Sequence, residues 1–252
     1  MSEVLIYDHE SVRVFTLNRP EKRNALNDEL IAALKSALAD AEADTSVCCI
    51  VIRGAEKDFC SGADLATLQK ISENTREENV ADAMNLAELF ELIRNVRVPV
   101  IAAVHGRALA GGCGLATACD LVVATKTAKF GYPEVMIGFV PAMVAAILRR
   151  NLSEKRCFEL LTQGFEFSAG EALNMGLINQ VYDDEGFEKA VFEYASRYSR
   201  VSRSAVELTK KLLYGIDNVD FSSALHRGAE VNAEARATED FKAGVAKFLN
   251  KT

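Results

Sequence analysis

Three short runs, Val47–Ile52, Val100–Val104 and Leu121–Ala124, carry no polar residue except the two cysteines of the first. Each is too short for an ordinary helix, and a strand without a polar face has to be covered on both sides. Between them lie segments of helical spacing. Asn27 caps a helix whose apolar positions are Leu30, Ile31, Leu34, Leu38 and Ala41, with Asp28 and Glu29 in its first turn. Asn79–Val96 reads as a long helix stopped before Pro99, and Gly111–Cys119 as a helix of small residues. Buried strands alternating with helices imply parallel βαβ units. At the start, Val4–Asp8 and Val12–Leu17 alternate apolar and polar residues about a short turn and predict a β-hairpin.

The pattern changes after Pro141. Helical segments follow at Ala142–Arg150, Ser153–Gln163, Ala169–Met175, Asp184–Tyr198, Ser202–Tyr214, Phe221–Arg236 and Glu239–Leu249, broken by one short strand, Ile178–Tyr182. Ser168 and Glu171 form a capping box. The organisation expected is an α/β core over residues 1–195 and a helical C-terminal part over 196–252. With 252 residues, 49% of them hydrophobic, the chain has material for one large core.

Charge and composition narrow the function. A net charge of -7 argues against a nucleic-acid binder, which carries a basic face. No stretch approaches the roughly 18 apolar residues of a membrane span, and the acidic first ten residues suit neither a signal nor a transit peptide. The six cysteines contain no C-x-x-C pair, and His9, His105 and His226 are far apart, so neither a disulfide scaffold nor a metal site is expected. The compartment implied is the reducing cytoplasm.

Chemistry concentrates in three segments, each just after a strand or at one: Asp58–Leu65, Gly106–Gly114 and Phe130–Glu134. In open α/β sheets ligands bind beyond the carboxyl ends of the strands, so the three would face one crevice. Glycine and alanine let backbone N–H groups approach a ligand, and those at a helix start are unpaired and carry its positive dipole. Two such groups could hold a developing oxyanion. Singly, each segment also has a plainer reading: Gly111-Gly112 as close packing, Glu134 as a solvated carboxylate, His105 as a satisfied buried histidine. Thr117 stands where a dinucleotide fingerprint needs its last glycine.

Together the segments are more specific. Asn18-Arg19-Pro20 with Asn24-Ala25-Leu26-Asn27, Phe59-Cys60-Ser61-Gly62-Ala63-Asp64-Leu65, Ala110-Gly111-Gly112-Cys113-Gly114-Leu115-Ala116 with Cys119-Asp120, and Phe130-Gly131-Tyr132-Pro133-Glu134 resemble the successive signatures of the enoyl-CoA hydratase/isomerase (crotonase) family. Ser168–Ala172 with Gly176-Leu177-Ile178 resembles that family's loop after the core. The resemblance implies a crotonase-like spiral of ββα turns with a helical C-terminal trimerisation region, assembled as a homotrimer or homohexamer. It implies an oxyanion hole from the N–H groups of Ala63 and Gly111, and CoA contacts from Lys22, Arg23, Ala25 and Leu26 and from Gly62, Asp64 and Leu65. It implies that Phe248 and Lys251 reach a CoA held by a neighbouring subunit. The acyl-CoA thioester is then the substrate, with no further cofactor, metal, nucleic acid or membrane.

The sequence departs from the family at one telling place. Typical hydratases resemble a machine of two carboxylates; here Glu134 is present, but Gly114 stands at the other position. Two carboxylates hold a water well, whereas one alone suits moving a proton between carbons. The favoured reaction is therefore double-bond isomerisation with Glu134 as acid and base, its pKa raised by walls expected from Val135, Met136, Phe139 and Val140. Gly114 would make room for a larger acyl group or for a side chain from elsewhere. Asp64 is expected to cap the helix after it, and Ala142-Met143-Val144 departs from the glycine-rich run common there. The alternatives are a 2-enoyl-CoA hydratase, another family chemistry such as thioester hydrolysis or decarboxylation, a non-catalytic acyl-CoA-binding subunit, and a serine hydrolase built on Ser61 and His105.

Overall fold

A computed structural model describes residues 2–250, with Leu65 described by its backbone alone. The chain opens on the hairpin β1 (Val4–His9) and β2 (Val12–Leu17), then runs through α1 (Asp28–Ala43), β3 (Cys49–Gly54), α2 (Leu65–Glu73), α3 (Arg76–Asn95) and β4 (Val100–Val104). It continues with β5 (Arg107–Leu109), α4 (Gly111–Ala118), β6 (Leu121–Thr125), β7 (Lys129–Gly131), α5 (Ala142–Asn151), α6 (Glu154–Gln163), β8 (Glu166–Ser168), α7 (Ala169–Met175) and β9 (Gln180–Tyr182). The helices α8 (Phe187–Ala195), α9 (Arg203–Gly215), α10 (Phe221–Ala237) and α11 (Glu239–Leu249) complete it.

The larger sheet has the order β1-β2-β3-β4-β6-β9. Only β1 with β2 is antiparallel; every later neighbour pairs in parallel. A second sheet, β5-β7-β8, is extended by single bridges from Cys60 to Ala108 and from Leu26 to Ala63. Each turn of the chain thus lays one strand in the large sheet and one strand or bridge in the small one, and then returns through helix: a spiral of ββα turns.

The period-2 alternation of strands divides the core. Phe15, Leu17, Ile50, Ile52, Val100, Ala102 and Val104 point into the main core with α1, α3 and α4. Val12, Val14, Cys49, Val51, Ile101 and Ala103 point the other way, under Val191 and Ala195 of α8. Both faces being covered explains why these strands read as unbroken apolar runs. Among the described residues no helix is long and apolar enough to cross a membrane.

Several expected elements need correction. The long helix begins at Arg76, not Asn79, because Thr75 and Glu78 form a capping box there. The strands β5, β7 and β8 were not anticipated; each spans three residues, too short for a periodic signal. The helix α2 is the one that Asp64 was expected to cap. The segment expected as one helix over Asp184–Tyr198 is α8 followed by a 3-10 turn over Ser196–Arg200.

The helix α9 is fastened to the core by a buried charge. Lys210 donates to Asp120 at 2.7 Å and to the carbonyls of Ile93 and Val98 at 3.0 and 2.9 Å, which uses all three of its N–H bonds. Asp120 also accepts from Val100 N at 2.7 Å and from the Tyr214 hydroxyl. Burial pushes the Lys210 ammonium pKa down, and the Asp120 carboxylate opposes that shift. Removing one member of such a pair strands the other without a counter-charge, at about 3–5 kcal/mol. Asp120→Ala is therefore expected to lower unfolding stability by that amount in urea titration, and Asp120→Ala with Lys210→Met to recover most of it.

Candidate active site

The loops after β2, β3 and β4 leave the sheet at one edge, and two buried polar side chains sew them together. Asn24, with no exposed surface, accepts from Arg19 N at 3.0 Å and donates to the carbonyls of Ala55 and Asp58 at 2.9 and 2.7 Å. Asp58 in turn accepts from Arg107 N at 2.9 Å. Asn24 lies at φ 55°, a left-handed conformation that asparagine tolerates better than most residues.

Backbone pairing then sets the reactive segments side by side. Leu26 N donates to Gly62 O at 2.7 Å and Asp64 N to Leu26 O at 3.1 Å, so Ala63 turns its own N–H away from Leu26. Cys60 N donates to Arg107 O at 3.1 Å and Leu109 N to Cys60 O at 3.0 Å. Gly62 adopts φ +96°, and a Cβ built there would lie 2.8 Å from Ala110 Cβ and 3.6 Å from Gly111 N. Ala63 and Gly111 therefore lie on adjoining strips of backbone, and neither N–H has a hydrogen-bond partner among the described residues. Gly112 is held to glycine by its neighbour: a Cβ would come 2.4 Å from Cys60 O and 2.6 Å from Cys60 Sγ. The helix α4 begins on Ala110, at φ 49°, with no side chain capping its N–H groups. Two unpaired donors at the positive end of a helix can hold one oxygen that gains negative charge.

Glu134 comes from the strand just beyond. Leu109 pairs with Gly131 in the small sheet, and Ala110 N donates to Gly131 O at 2.9 Å, which lays Tyr132-Pro133-Glu134 beside the start of α4. Pro133 opens a 3-10 turn over Pro133–Ile137 that ends on Gly138 at φ 75°. Glu134 is 8% exposed, and its Oε2 is buried without a hydrogen-bond partner among the described residues. Burial pushes its carboxyl above the usual range, against a smaller downward pull from its own backbone N–H. Of the expected walls, Val135 is half-buried, whereas Met136, Phe139 and Val140 are 72%, 49% and 67% exposed. Met136 lies within the turn, and Phe139 and Val140 follow Gly138.

Gly114 is buried one turn along α4 from Gly111. Its vacant side-chain space is filled from elsewhere, since a Cβ there would meet Val144 Cγ2 at 2.6 Å and Phe90 Cζ at 3.3 Å. Of the two expectations for that position, room for a larger acyl group is not met on this side of the helix.

The remaining expected residues divide. Lys22 and Arg23 are exposed at the mouth of the first loop, whereas Ala25 and Leu26 are buried beneath it. Asp64 caps α2 by accepting from Ala66 N at 2.8 Å and is paired with Arg19 at 2.8 Å; these contacts, the helix cap first, hold its pKa down. Leu65 opens α2, and its side chain lies outside the described residues, as does Lys251. Phe248 is 73% exposed on α11. Ser61 donates to Lys22 O at 3.4 Å and His105 meets Glu56 O at 2.9 Å, with no hydrogen bond between the two, so no serine–histidine pair forms. No group of three or more His, Cys, Asp or Glu side chains placed to hold a metal occurs among the described residues. Sequence reasoning placed Asn24, Asp58 and Val144 inside marked segments without giving their contacts, and it passed over Phe90.

The sequence pattern of the enoyl-CoA hydratase/isomerase family matches residues 8–252. The chain belongs to that family, and it is an enzyme of the enoyl-CoA hydratase or isomerase type. It is 33% identical to the 2,3-dehydroadipyl-CoA hydratase of Escherichia coli K12, over 100% of this chain and 97% of that protein. It is 34% identical to the crotonyl-CoA hydratase of Syntrophomonas wolfei, over 98% and 95% respectively. The crystal structure of an enoyl-CoA hydratase of Mycobacterium smegmatis superposes with a TM-score of 0.94 at 32% identity, covering 99% of this chain and 96% of that one.

Gly112→Ala tests how closely the backbone strips must lie. The added methyl has to push α4 away from Cys60, and a misplacement of order 1 Å costs about 100-fold in rate. Turnover of an enoyl-CoA is expected to fall by about that factor, while the far-ultraviolet circular dichroism stays that of the wild type.

Proposed function

We propose that this chain is an enoyl-CoA isomerase that moves a double bond between the 3- and 2-positions of an acyl-CoA thioester. The observation that carries this reading is the pairing of a buried, hydrogen-bond-free Glu134 Oε2 with a helix that offers no second carboxylate at Gly114.

In this mechanism the thioester oxygen lies between the N–H groups of Ala63 and Gly111. Glu134, ionised, takes a proton from C2 of the 3-enoyl thioester. The electron pair moves into the C2–C1 bond and onto the oxygen, giving a dienolate stabilised by the two donors and the α4 dipole. Glu134 then returns the same proton to C4, leaving the double bond between C2 and C3. A carboxyl held in a dry setting has a pKa nearer to neutral, which suits a group that must both take and give a proton.

The CoA would run over the Lys22–Leu26 loop and along Gly62–Leu65, where the exposed Lys22 and Arg23 supply cations for its phosphates. Residues 1–195 would form the catalytic core. Residues 196–252 would drive assembly into a trimer or a dimer of trimers, with Phe248 and Lys251 reaching a neighbour's CoA. The exposure of Leu213, Phe221, Leu225, Phe241 and Phe248 supports an assembly role for this region. The names of the relatives favour a second reading, hydration of a 2-enoyl thioester, which needs a water-holding group besides Glu134.

Mixing the enzyme with a 3-enoyl-CoA and a 2-enoyl-CoA and weighing the products separates the two. Interconversion at constant mass is expected; rapid gain of one water by the 2-enoyl substrate would favour hydration instead. Glu134→Gln should lower the isomerisation rate by about 100- to 10,000-fold, the span of positioned acid–base catalysis, and undiminished turnover would remove Glu134 from the mechanism. Because the base acts ionised and its pKa is raised, kcat/KM is expected to fall as pH drops through a point above the ordinary glutamate value.

A further inference from the structure

We infer that Val144, seated on Gly114, determines the reaction outcome by denying water a place beside the acyl carbons. This rests on reading Glu134 as the lone acid and base.

The geometry starts from the helix. Gly111 and Gly114 are three residues apart on α4 and so share a face. Whatever stands on Gly114 adjoins the site of the reacting oxygen. The backbone there does not require glycine, since Gly114 does not lie at positive φ. An alanine would favour the helix by about 1 kcal/mol. What requires glycine is the neighbour: Val144 Cγ2 would lie 2.6 Å from an added Cβ, and Phe90 Cζ 3.3 Å from it.

Val144 cannot easily give way. It is the third residue of α5, and a valine in a helix is confined largely to one χ1 rotamer. It is 3% exposed and Phe90 is 5% exposed, so both are packed from behind. The face of α4 nearest the donors is thus closed by hydrocarbon. A water lodged in a protein needs two to four polar partners. Phe90 and Val144 offer none, and Glu134 alone offers one carboxylate. Hydration requires a water oxygen to bond to C3 while a proton is delivered to C2. Isomerisation requires no molecule beyond the thioester, which is the course a dry wall leaves open.

The test compares wild type, Val144→Thr, Val144→Ala, Gly114→Glu and Gly114→Glu with Val144→Ala. A four-carbon 2-enoyl-CoA and its 3-enoyl isomer serve as substrates in ¹⁸O-labelled water. Hydration is read as label gained and isomerisation as change at constant mass. Val144→Thr keeps the shape and adds one hydroxyl, so it remains informative where larger changes disturb folding. The expected result is a hydration-to-isomerisation ratio raised at least about tenfold in Val144→Thr and Val144→Ala. A further rise is expected in the double variant, and a loss of both activities in Gly114→Glu alone, whose side chain meets Val144. A ratio unchanged in both single Val144 variants, with thioester binding intact, would overturn the inference. So would a Gly114→Glu enzyme that hydrates as well as the double variant. Rapid hydration by the wild type would overturn the isomerase reading beneath it.

Discussion

Parallel pairing of β2, β3, β4 and β6 is the constraint from which the rest follows. It sends every one of these strands out of the sheet at the same edge, so their following loops must crowd together. Crowded loops carry backbone groups that water cannot reach, and each needs a partner. Asn24 and Asp58 supply those partners from within, spanning three loops with a few hydrogen bonds. The N–H groups of Ala63 and Gly111 are left without a partner beside them among the described residues. The loops that carry them are held by Asn24 and Asp58, and fixed dipoles are a condition that catalysis by preorganised donors needs.

Much of this was legible in the amino-acid order. Val100–Val104 could be read to the residue because a strand covered on both faces has no polar position to blur it. Ala169–Met175 was equally clear because Ser168 and Glu171 mark its start and Gly176 its end. The strands β5, β7 and β8 were hidden for the opposite reason: their existence is a property of the partner strand and not of their own three residues. The same division holds in the site. Glycine-rich segments beyond strand ends pointed to one crevice, and Ala63 and Gly111 lie on adjoining backbone; the 3-10 turn over Pro133–Ile137 was not read in advance. The apolar residues after Glu134 misled, because sequence adjacency says nothing about which way a 3-10 turn faces. The contact of Val144 with Gly114 depends on how α5 crosses α4, thirty residues later in the chain, and no local pattern encodes a crossing.

The C-terminal helices show a different economy. They contribute few buried residues of their own, chiefly Leu208 and Lys210 on α9. The Lys210 ammonium, tied to Asp120 and two carbonyls, and the Tyr214 hydroxyl, which donates to Asp120, fasten α9 to the last turn of α3, the loop after it and the end of α4. Hydrogen bonding and charge, rather than a large apolar contact, thereby link the outer helices to the helix whose other end carries Gly111.

That other end has a consequence for the evolution of stability. The helices α1, α2, α3, α7, α9, α10 and α11 each begin on a side chain that accepts from their first turn. The helix α4 begins on an alanine in left-handed geometry and has no such acceptor. A side-chain cap of the usual kind needs extended backbone at the position before the helix, and residue 110 lies at φ 49° and ψ -129°. In a cap of that kind the oxygen accepts from the second or third N–H of the helix, here Gly112 or Cys113, and not from Gly111. A capping substitution at residue 110, evolved or engineered, would therefore have to rebuild the turn before α4 ahead of any gain in helix stability.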